Sequence, residues 1–400
     1  MGWLGLDDTD SLAGGCTTEV LHQLVKSLPE NVEAGQPRLV RLWPFAQRRT
    51  RGNAAVAIEL KTDNEPELLH FLNRHWTSQI EPLRGEIQSS HHSNREQFPS
   101  DPGMVWYSKP EPIPAFYRNG LRREILLEEL PPPTKSWGGN GRIGASLAVH
   151  WPADIKTYEA IAWRLKSCEG PRQLDQDAIQ IIDKMEETFL CRDHRLGTSM
   201  LAPRGNSPVL FGIRAWTKSG AKEALQMLLD GPNTESTSGS MIFETNQATD
   251  DHLDDAFEVE VTGIDVIKGG HTRIRSDSNH YIAFRETGDV ARLAQHLRTG
   301  DVVECKGLQA PDESIHIEFL RIREIVPERS RPSCPQCNKA MTSMGKNQGL
   351  RCKKCNRTME DAWEESWRNL PLGVWFQPPA SSRRHLSKPL QTTEAIQNNL

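Results

Sequence analysis

The sequence predicts an α+β multidomain protein: two ferredoxin-like α/β-sandwich domains, an OB-fold β-barrel and a zinc ribbon. Three observations carry this. Hydrophobic periodicity runs β-α-β-β-α-β between residues 2 and 107 and recurs between 157 and 245. Short β-rich runs fill 256 to 326, and two CxxC pairs then stand fourteen residues apart. At 400 residues the chain is long enough for several separate cores.

Taken in order, residues 2–7 and 38–43 read as strands with a helix over Thr17–Leu28 between them, and 54–61 (AAVAIELK) is a third strand. Glu65–Trp76 has helical spacing and 103–107 (GMVWY) is a fourth strand. The polar stretch Gln88–Pro102 is expected as a long loop, the kind that is usually functional in a compact domain. PPPTKSWGGNGRIGA, residues 131–145, has the proline and glycine density of a connector, with glycines that could also cradle a phosphate. Beyond it come strand 157–165, helix 174–186, a short strand near Phe189, strand 208–216, helix 219–229 and strand 240–245. Five β-rich runs between Ala256 and Val326, with the helix-like VARLAQHL before the fourth, fit a small Greek-key barrel of OB type.

Cys334, Cys337, Cys352 and Cys355 have the spacing of a closed four-thiolate zinc site, and a region this poor in apolar residues needs the metal to fold. The resulting boundaries are 1–130 for a catalytic domain, 131–255 for a second α/β domain, 256–328 for the OB fold, 329–362 for the zinc ribbon and 363–400 for a basic tail.

Composition excludes other classes. Apolar residues make up 36% and charged residues 25%, with no glycine or proline repeat, so collagen-like, solenoid and wholly disordered chains are ruled out. No window has eighteen uninterrupted apolar residues and MGWLGLDDTD is acidic where a secretory leader would be basic, so no membrane segment and a cytoplasmic location are expected. No obligate protein partner is evident. The net charge of −5 is uneven: residues 329–400 hold twelve Lys/Arg against five Asp/Glu, which leaves −12 on the rest. A basic end on an acidic body suggests a nucleic-acid grip at one end and a more selective site elsewhere.

The selective site is expected where the first strand ends. Asp7, Asp8 and Asp10 supply the hard oxygens that Mg²⁺ prefers, and Gly14-Gly15-Cys16-Thr17-Thr18 opens a helix whose free N–H groups can receive phosphate. Alternation along an extended strand puts Asp8 and Asp10 on one side and Asp7 on the other unless the strand bends. Between Pro37 and Ala57 stand five arginines and no acid, including Arg48, Arg49 and Arg51 of RRTRGN, enough to hold a triphosphate or an RNA backbone. Arg383, Arg384, His385 and Lys388 repeat the theme near the C-terminus.

DDTDS..GGCTT, TRGN, FPSDPGMV, TYEAIAWR, PVLFGIR, TNQATDDHL, the CxxC pair and RRHLSKPL occur in this order. Together they make the chain resemble the archaeal tRNA(Ile) agmatinylcytidine synthetase family, TiaS, over essentially its whole length. The resemblance implies an N-terminal kinase-like domain, a ferredoxin-like domain, an OB fold and a zinc ribbon. It implies that ATP is consumed to join agmatine to C2 of the wobble cytidine of a tRNA(Ile) with a CAU anticodon. It also implies that Asp7, Asp8 and Asp10 hold Mg²⁺ with ATP, that Gly14, Gly15, Arg51, Gly52 and Asn53 contact ATP, and that Thr17, with Thr18 adjacent, is autophosphorylated. Arg48, Arg49, Arg383, Arg384, His385 and Lys388 are assigned to tRNA. Where the family commonly reads GxDPVLFGIRG, this chain has Gly205-Asn206-Ser207-Pro208 and ends in Ala215, so an acid is missing, and Asp193 or Glu244 are the candidate replacements. The competing reading is a non-enzymatic single-strand-binding protein that works through its OB fold, with Tyr281 and Phe284 stacking on bases, and its zinc ribbon.

Overall fold

The computed structural model describes every residue except 12–13, 50–51, 86–90, 93–94, 97, 204, 278 and 391–400. Arg51 therefore lies outside the described residues, as does part of the expected 88–102 loop. The chain forms two compact units: residues 1–254 with 379–389, and 255–378 with 390–400.

In the first unit, strands β1 (Gly2–Asp7), β2 (Arg38–Arg41), β3 (Ala54–Lys61), β4 (Gly103–Ser108) and β5 (Lys135–Gly138) come from the N-terminal half. Strands β6 (Thr157–Arg164), β7 (Val209–Ala215) and β8 (Thr237–Thr245) come from the second half. All eight lie in one sheet, ordered β7-β6-β8-β2-β3-β1-β4-β5, with Glu33–Ala34 pairing onto β3 as a ninth strand. The two halves are thus continuous through a parallel pairing of β8 with β2, Glu244 opposite Arg38 and Thr245 opposite Leu39. That pairing covers what would otherwise be an open edge at β2. The second half places only three strands in the sheet; its expected strand near Phe189 is reduced to a bridge between Thr188 and Ala215.

Why the N-terminal strands read as apolar runs is evident from their packing. Leu4, Leu6, Val56, Ile58, Leu60, Met104 and Trp106 face one side, where they pack with Leu21 and Leu24 of helix α1 (Thr17–Lys26) and Leu68 and Leu72 of α2 (Glu65–His75). Ala55, Ala57, Val105 and Tyr107 face the other side, with residues from α3 (Pro114–Gly120) and α4 (Gly141–Val149). A sheet buried on both faces needs near-continuous hydrophobic strands.

The expected connector at 131–145 is instead β5 followed by α4. Its glycines are required by contact: a Cβ on Gly141 would lie 2.5 Å from the Asp7 carbonyl oxygen, and one on Gly144 would lie 1.9 Å from Asp7 Oδ2. The same closeness holds from the strand side, where a Cβ on Gly5 would lie 2.3 Å from the Ala145 carbonyl oxygen. The second half adds helices α5 (Gln176–Ile182) and α6 (Lys218–Leu229) over Leu210, Phe211 and Ile213. Asp175 and Thr217 cap them through side-chain bonds to the N–H groups of Ala178 and Gly220.

The second unit has a six-stranded sheet of β9 (Phe257–Glu260), β10 (Gly263–Ile267), β11 (His271–Arg275), β12 (His280–Ala283), β13 (Val302–Gln309) and β14 (Ile315–Glu324). Its order is β9-β13-β14-β12-β11-β10, with helix α7 (Asp289–Gln295) packed in its core. Residues 331–368 follow with small hairpins around the cysteines. Among the described residues no helix is long and apolar enough to cross a membrane.

Candidate active site

The site lies in the first unit, at the end of β1. Asp8 has a left-handed backbone, φ +58°, a conformation that Asp and Asn tolerate better than most residues. This bend overrides strand alternation, so Asp7, Asp8 and Asp10 all line one cavity of about 300 Å³. The Asp7 carboxylate accepts the Asp8 N–H at 2.7 Å and sits against Gly144 of α4. Burial pushes the Asp7 carboxyl well above the usual range, and the neighbouring Asp8 and Asp10 charges add to this. Burial likewise raises Asp8 to about 7, with Asp10 adding and the Asp101 N–H and Arg48 opposing.

The arginine loop between β2 and β3 contributes to the same lining. Arg48, Arg49, Gly52 and Asn53 line the same cavity as the acids, together with Trp43 and Ala46. Asn53 Nδ2 donates to the Trp43 carbonyl at 2.9 Å, and Arg49 Nη1 donates to the Ala46 carbonyl at 2.6 Å. Arg48 lies over the Phe98 ring, 5.1 Å from its centroid. Acids and arginines around one cavity suit a ligand with its own metal and phosphates: the acids favour the cation, the arginines the anion.

Gly14, Gly15, Thr17 and Thr18 are not in that lining. Ser11 and Gly14 pair with each other, with the Ser11 N–H donating to the Gly14 carbonyl at 2.9 Å. Gly15 has φ +84°, and a Cβ there would lie 3.1 Å from the Thr9 carbonyl oxygen. Thr17 and Thr18 are both buried at the start of α1. The Thr9 and Thr17 hydroxyls are 3.1 Å apart, while Thr18 Oγ1 accepts the Trp163 Nε1–H at 3.2 Å and lies 2.9 Å from Cys16 Sγ. Trp163, fully buried in β6, thereby ties the second half to the helix start that bears both threonines.

Sequence reasoning missed Asp101. Its N–H donates to Asp8 Oδ2 at 3.0 Å, and its own Oδ2 accepts from Asn140 N and Nδ2 at 2.7 and 2.6 Å. Burial works against its ionisation, yet the Asn140 bonds and Arg84, 3.2 Å away, hold it below the ordinary carboxylate range. A signal existed: Asp7 pairs with Gly103 in an antiparallel ladder, so the start of β4 must lie beside the end of β1.

The basic C-terminal group is also placed in the first unit. Arg384 lies over the Phe45 ring at 4.7 Å, His385 Nδ1 is 3.1 Å from Gln247 Oε1, and the Lys388 N–H donates to Asp250 Oδ1 at 2.7 Å. Burial lowers Arg383 to about 10 in spite of Asp250 and Asp193 nearby. The Arg41 charge, desolvation and Arg214 together push His385 well below the ordinary histidine range. The two candidate replacement acids are already engaged. Asp193 accepts the N–H groups of Arg195, Leu196 and Ser381, and Glu244 pairs with Lys156 at 2.9 Å.

In the second unit the four cysteine sulfurs lie within 4.8 Å of one another, the one such convergent group of metal-ligating side chains among the described residues. Two equivalent knuckles present them: Asn338 N–H bonds to the Cys334 carbonyl and Asn356 N–H to that of Cys352, each at 2.8 Å. Both asparagines take the left-handed conformation, φ +56° and +55°. Met341 and Leu350 fill the small core beside them. Four convergent thiolates fit a structural zinc ion, and the site leaves no open position.

An α/β unit with an acid- and arginine-lined cavity, joined to a β-rich unit ending in a zinc ribbon, defines a mixed α+β multidomain protein built around a nucleotide-sized site. The comparisons narrow this further. Residues 3–136 match the TiaS TCKD domain, 139–252 the TiaS FLD domain and 331–368 the TiaS C-terminal zinc ribbon domain. The 2-agmatinylcytidine synthetase TiaS of Methanosarcina acetivorans, named for an isoleucine tRNA, is 31% identical, covering 97% of this chain and 96% of its own. The chain belongs to the TiaS family. The crystal structure of TiaS in complex with its isoleucine tRNA and ATP is similar at 27% identity and TM-score 0.80, covering 99% of both chains. That of TiaS with the same tRNA, AMPCPP and agmatine is similar at 26% identity and TM-score 0.75, covering 100% of this chain and 98% of the other.

Proposed function

We propose that this protein uses ATP to join agmatine to C2 of the wobble cytidine of tRNA(Ile) with a CAU anticodon, giving 2-agmatinylcytidine so that AUA is read as isoleucine. The observation that carries this is the convergence of Asp7, Asp8, Asp10, Arg48, Arg49, Gly52 and Asn53 on one cavity, in a chain related to TiaS proteins from end to end. The C2 oxygen of cytosine is a poor leaving group and must be activated before an amine can replace it, which is the chemical need for ATP.

In this reading the cavity takes the triphosphate. Asp8 and Asp10, with Asp7 beside them, hold Mg²⁺, which neutralises phosphate charge when bound. The fit rests on charge: acids whose protonation burial favours gain from a divalent cation. Their oxygens do not converge as the cysteine sulfurs do, which suits an ion held by one or two carboxylates and completed by phosphate and water. Arg48 and Arg49 neutralise phosphate, and Asp101 orients Asp8. Thr17 is the phospho-acceptor of this reading, with Thr18 the neighbouring alternative; both hydroxyls accept a hydrogen bond, Thr17 from Thr9 and Thr18 from Trp163.

The second unit holds tRNA. Its strand order, with β9 and β10 consecutive in sequence at opposite edges and β12 parallel to β14, supports an OB fold for 256–328. The order β2-β3-β1-β4 supports a ferredoxin-like plan for 1–130. A tRNA substrate supports a cytoplasmic location. The test is incubation with ATP, Mg²⁺, agmatine and a CAU-anticodon tRNA transcript, followed by mass analysis of the wobble nucleoside. An unchanged nucleoside with no RNA-dependent ATP turnover would refute the reading.

A further inference from the structure

Residues 379–389 pack in the first unit although they follow the zinc ribbon in sequence. This strap is fixed through its backbone. Ser381 N–H donates to Asp193, Ala248 N–H donates to the His385 carbonyl, and Asp250 N–H donates to the Leu386 carbonyl, at 3.0, 2.9 and 2.9 Å. Its side chains meet the arginine loop that walls the cavity. Arg384 covers Phe45, which packs edge-on to Trp43 at 5.7 Å, and Trp43 lines the cavity. Leu386 is buried in the same cluster as Val40 and Leu42, at the point where β2 becomes the loop.

The root of the loop is locked from the same side. Arg41 exchanges two hydrogen bonds with Asn246, its N–H to Oδ1 at 2.8 Å and Nδ2 to its carbonyl at 2.9 Å. Its guanidinium reaches Glu159 Oε2 at 3.4 Å, and Gln247 donates to that same carboxylate oxygen. Gln247 Oε1 accepts from Arg214 Nε at 3.0 Å and faces His385 Nδ1. Segment 246–250 is therefore clasped between loop root and strap.

We propose that Arg384 is a positioning residue for the nucleotide cavity: by stacking on Phe45 it fixes the arginine loop, and so the affinity for the ligand's phosphates. The inference rests on ATP occupying this cavity. It gives Arg384 a role distinct from a phosphate contact on tRNA.

The experiment uses the full chain and four variants: Arg384→Ala, Phe45→Leu, the double variant, and Arg48→Ala as a cavity control. Affinity for a non-hydrolysable ATP analogue with Mg²⁺ is measured beside tRNA affinity across a salt series. Arg384→Ala is expected to weaken analogue binding about two- to fivefold, the lower range for a cation–π contact, and to leave the tRNA salt slope unchanged. The double variant should be no weaker than Phe45→Leu alone, because the two act through one contact. Additive losses, unchanged analogue affinity, or a salt slope lowered by about one unit would each overturn the proposal, the last by making Arg384 a tRNA phosphate contact. Failure of the cavity reading itself is distinguishable, since Arg48→Ala would then leave analogue binding intact.

Discussion

Replacing Asp8 by asparagine should make the ligand-free protein more stable at pH 8 while abolishing activity. The carboxylate is raised to about 7 from an ordinary value of 3.8, chiefly by burial. Between those two pH values the native state binds the proton more tightly than the unfolded chain, so stability falls as pH rises from 4 towards 7 and levels off above. The full displacement corresponds to a ceiling of about 4 kcal/mol. Partial exposure of the side chain and its coupling to the neighbouring Asp7 carboxyl screen this to roughly 1–2 kcal/mol. Asparagine keeps an oxygen for the Asp101 N–H and tolerates the left-handed backbone, so it removes the charge with little else. Thermal unfolding of both proteins in EDTA, from pH 5 to 8, should show the variant's midpoint for the first unit rising relative to wild type by about 2–8 °C at the alkaline end. With Mg²⁺ and an ATP analogue the order should reverse, because only wild type gains binding energy. A variant less stable than wild type at pH 8, or a difference independent of pH, would refute the charge argument.

Asp101→Ala should weaken ATP-analogue binding about tenfold, since it removes the acceptor that fixes Asn140, while tRNA affinity stays within twofold; equal losses in both would indicate general damage. Gly144→Ala, a change that favours an ordinary helix by about 1 kcal/mol, should here displace the Asp7 carboxylate and lower kcat/KM at least tenfold, read by steady-state turnover. Zinc removal by a strong chelator should unfold residues 331–368, lowering tRNA affinity and its salt slope but leaving ATP-analogue binding unchanged; an unaltered salt slope would mean that the ribbon does not grip RNA.

How far the sequence revealed this architecture depends on what each segment uses for stability. The strands of the first half were legible because two buried faces demand runs such as AAVAIELK, and the cysteine knuckles because metal geometry leaves little freedom in spacing. Helix α4 was not legible. GGNGRIGASLAV has poor helix propensity and few large side chains, and it is helical because only small residues allow the close approach to β1 that tertiary contact rewards. The strap escaped for a related reason: SSRRHLSKP looks like solvated tail, yet it is held by backbone hydrogen bonds and one buried leucine. Among the site residues, the three acids could be named but not their common orientation, which depends on a single backbone torsion at Asp8.

The strap also sets an order of events during synthesis. Residues 1–254 leave the ribosome with every strand of their sheet present, but the segment that covers Phe45 is translated only after 255–378. At about 5–20 residues per second that interval lasts roughly 6–25 s. During it the arginine loop of the nascent first unit lacks the strap, and by its end the zinc ribbon has been made. With the strap acting on the loop as proposed above, nucleotide binding reaches full strength only on polypeptides that already carry residues 255–378.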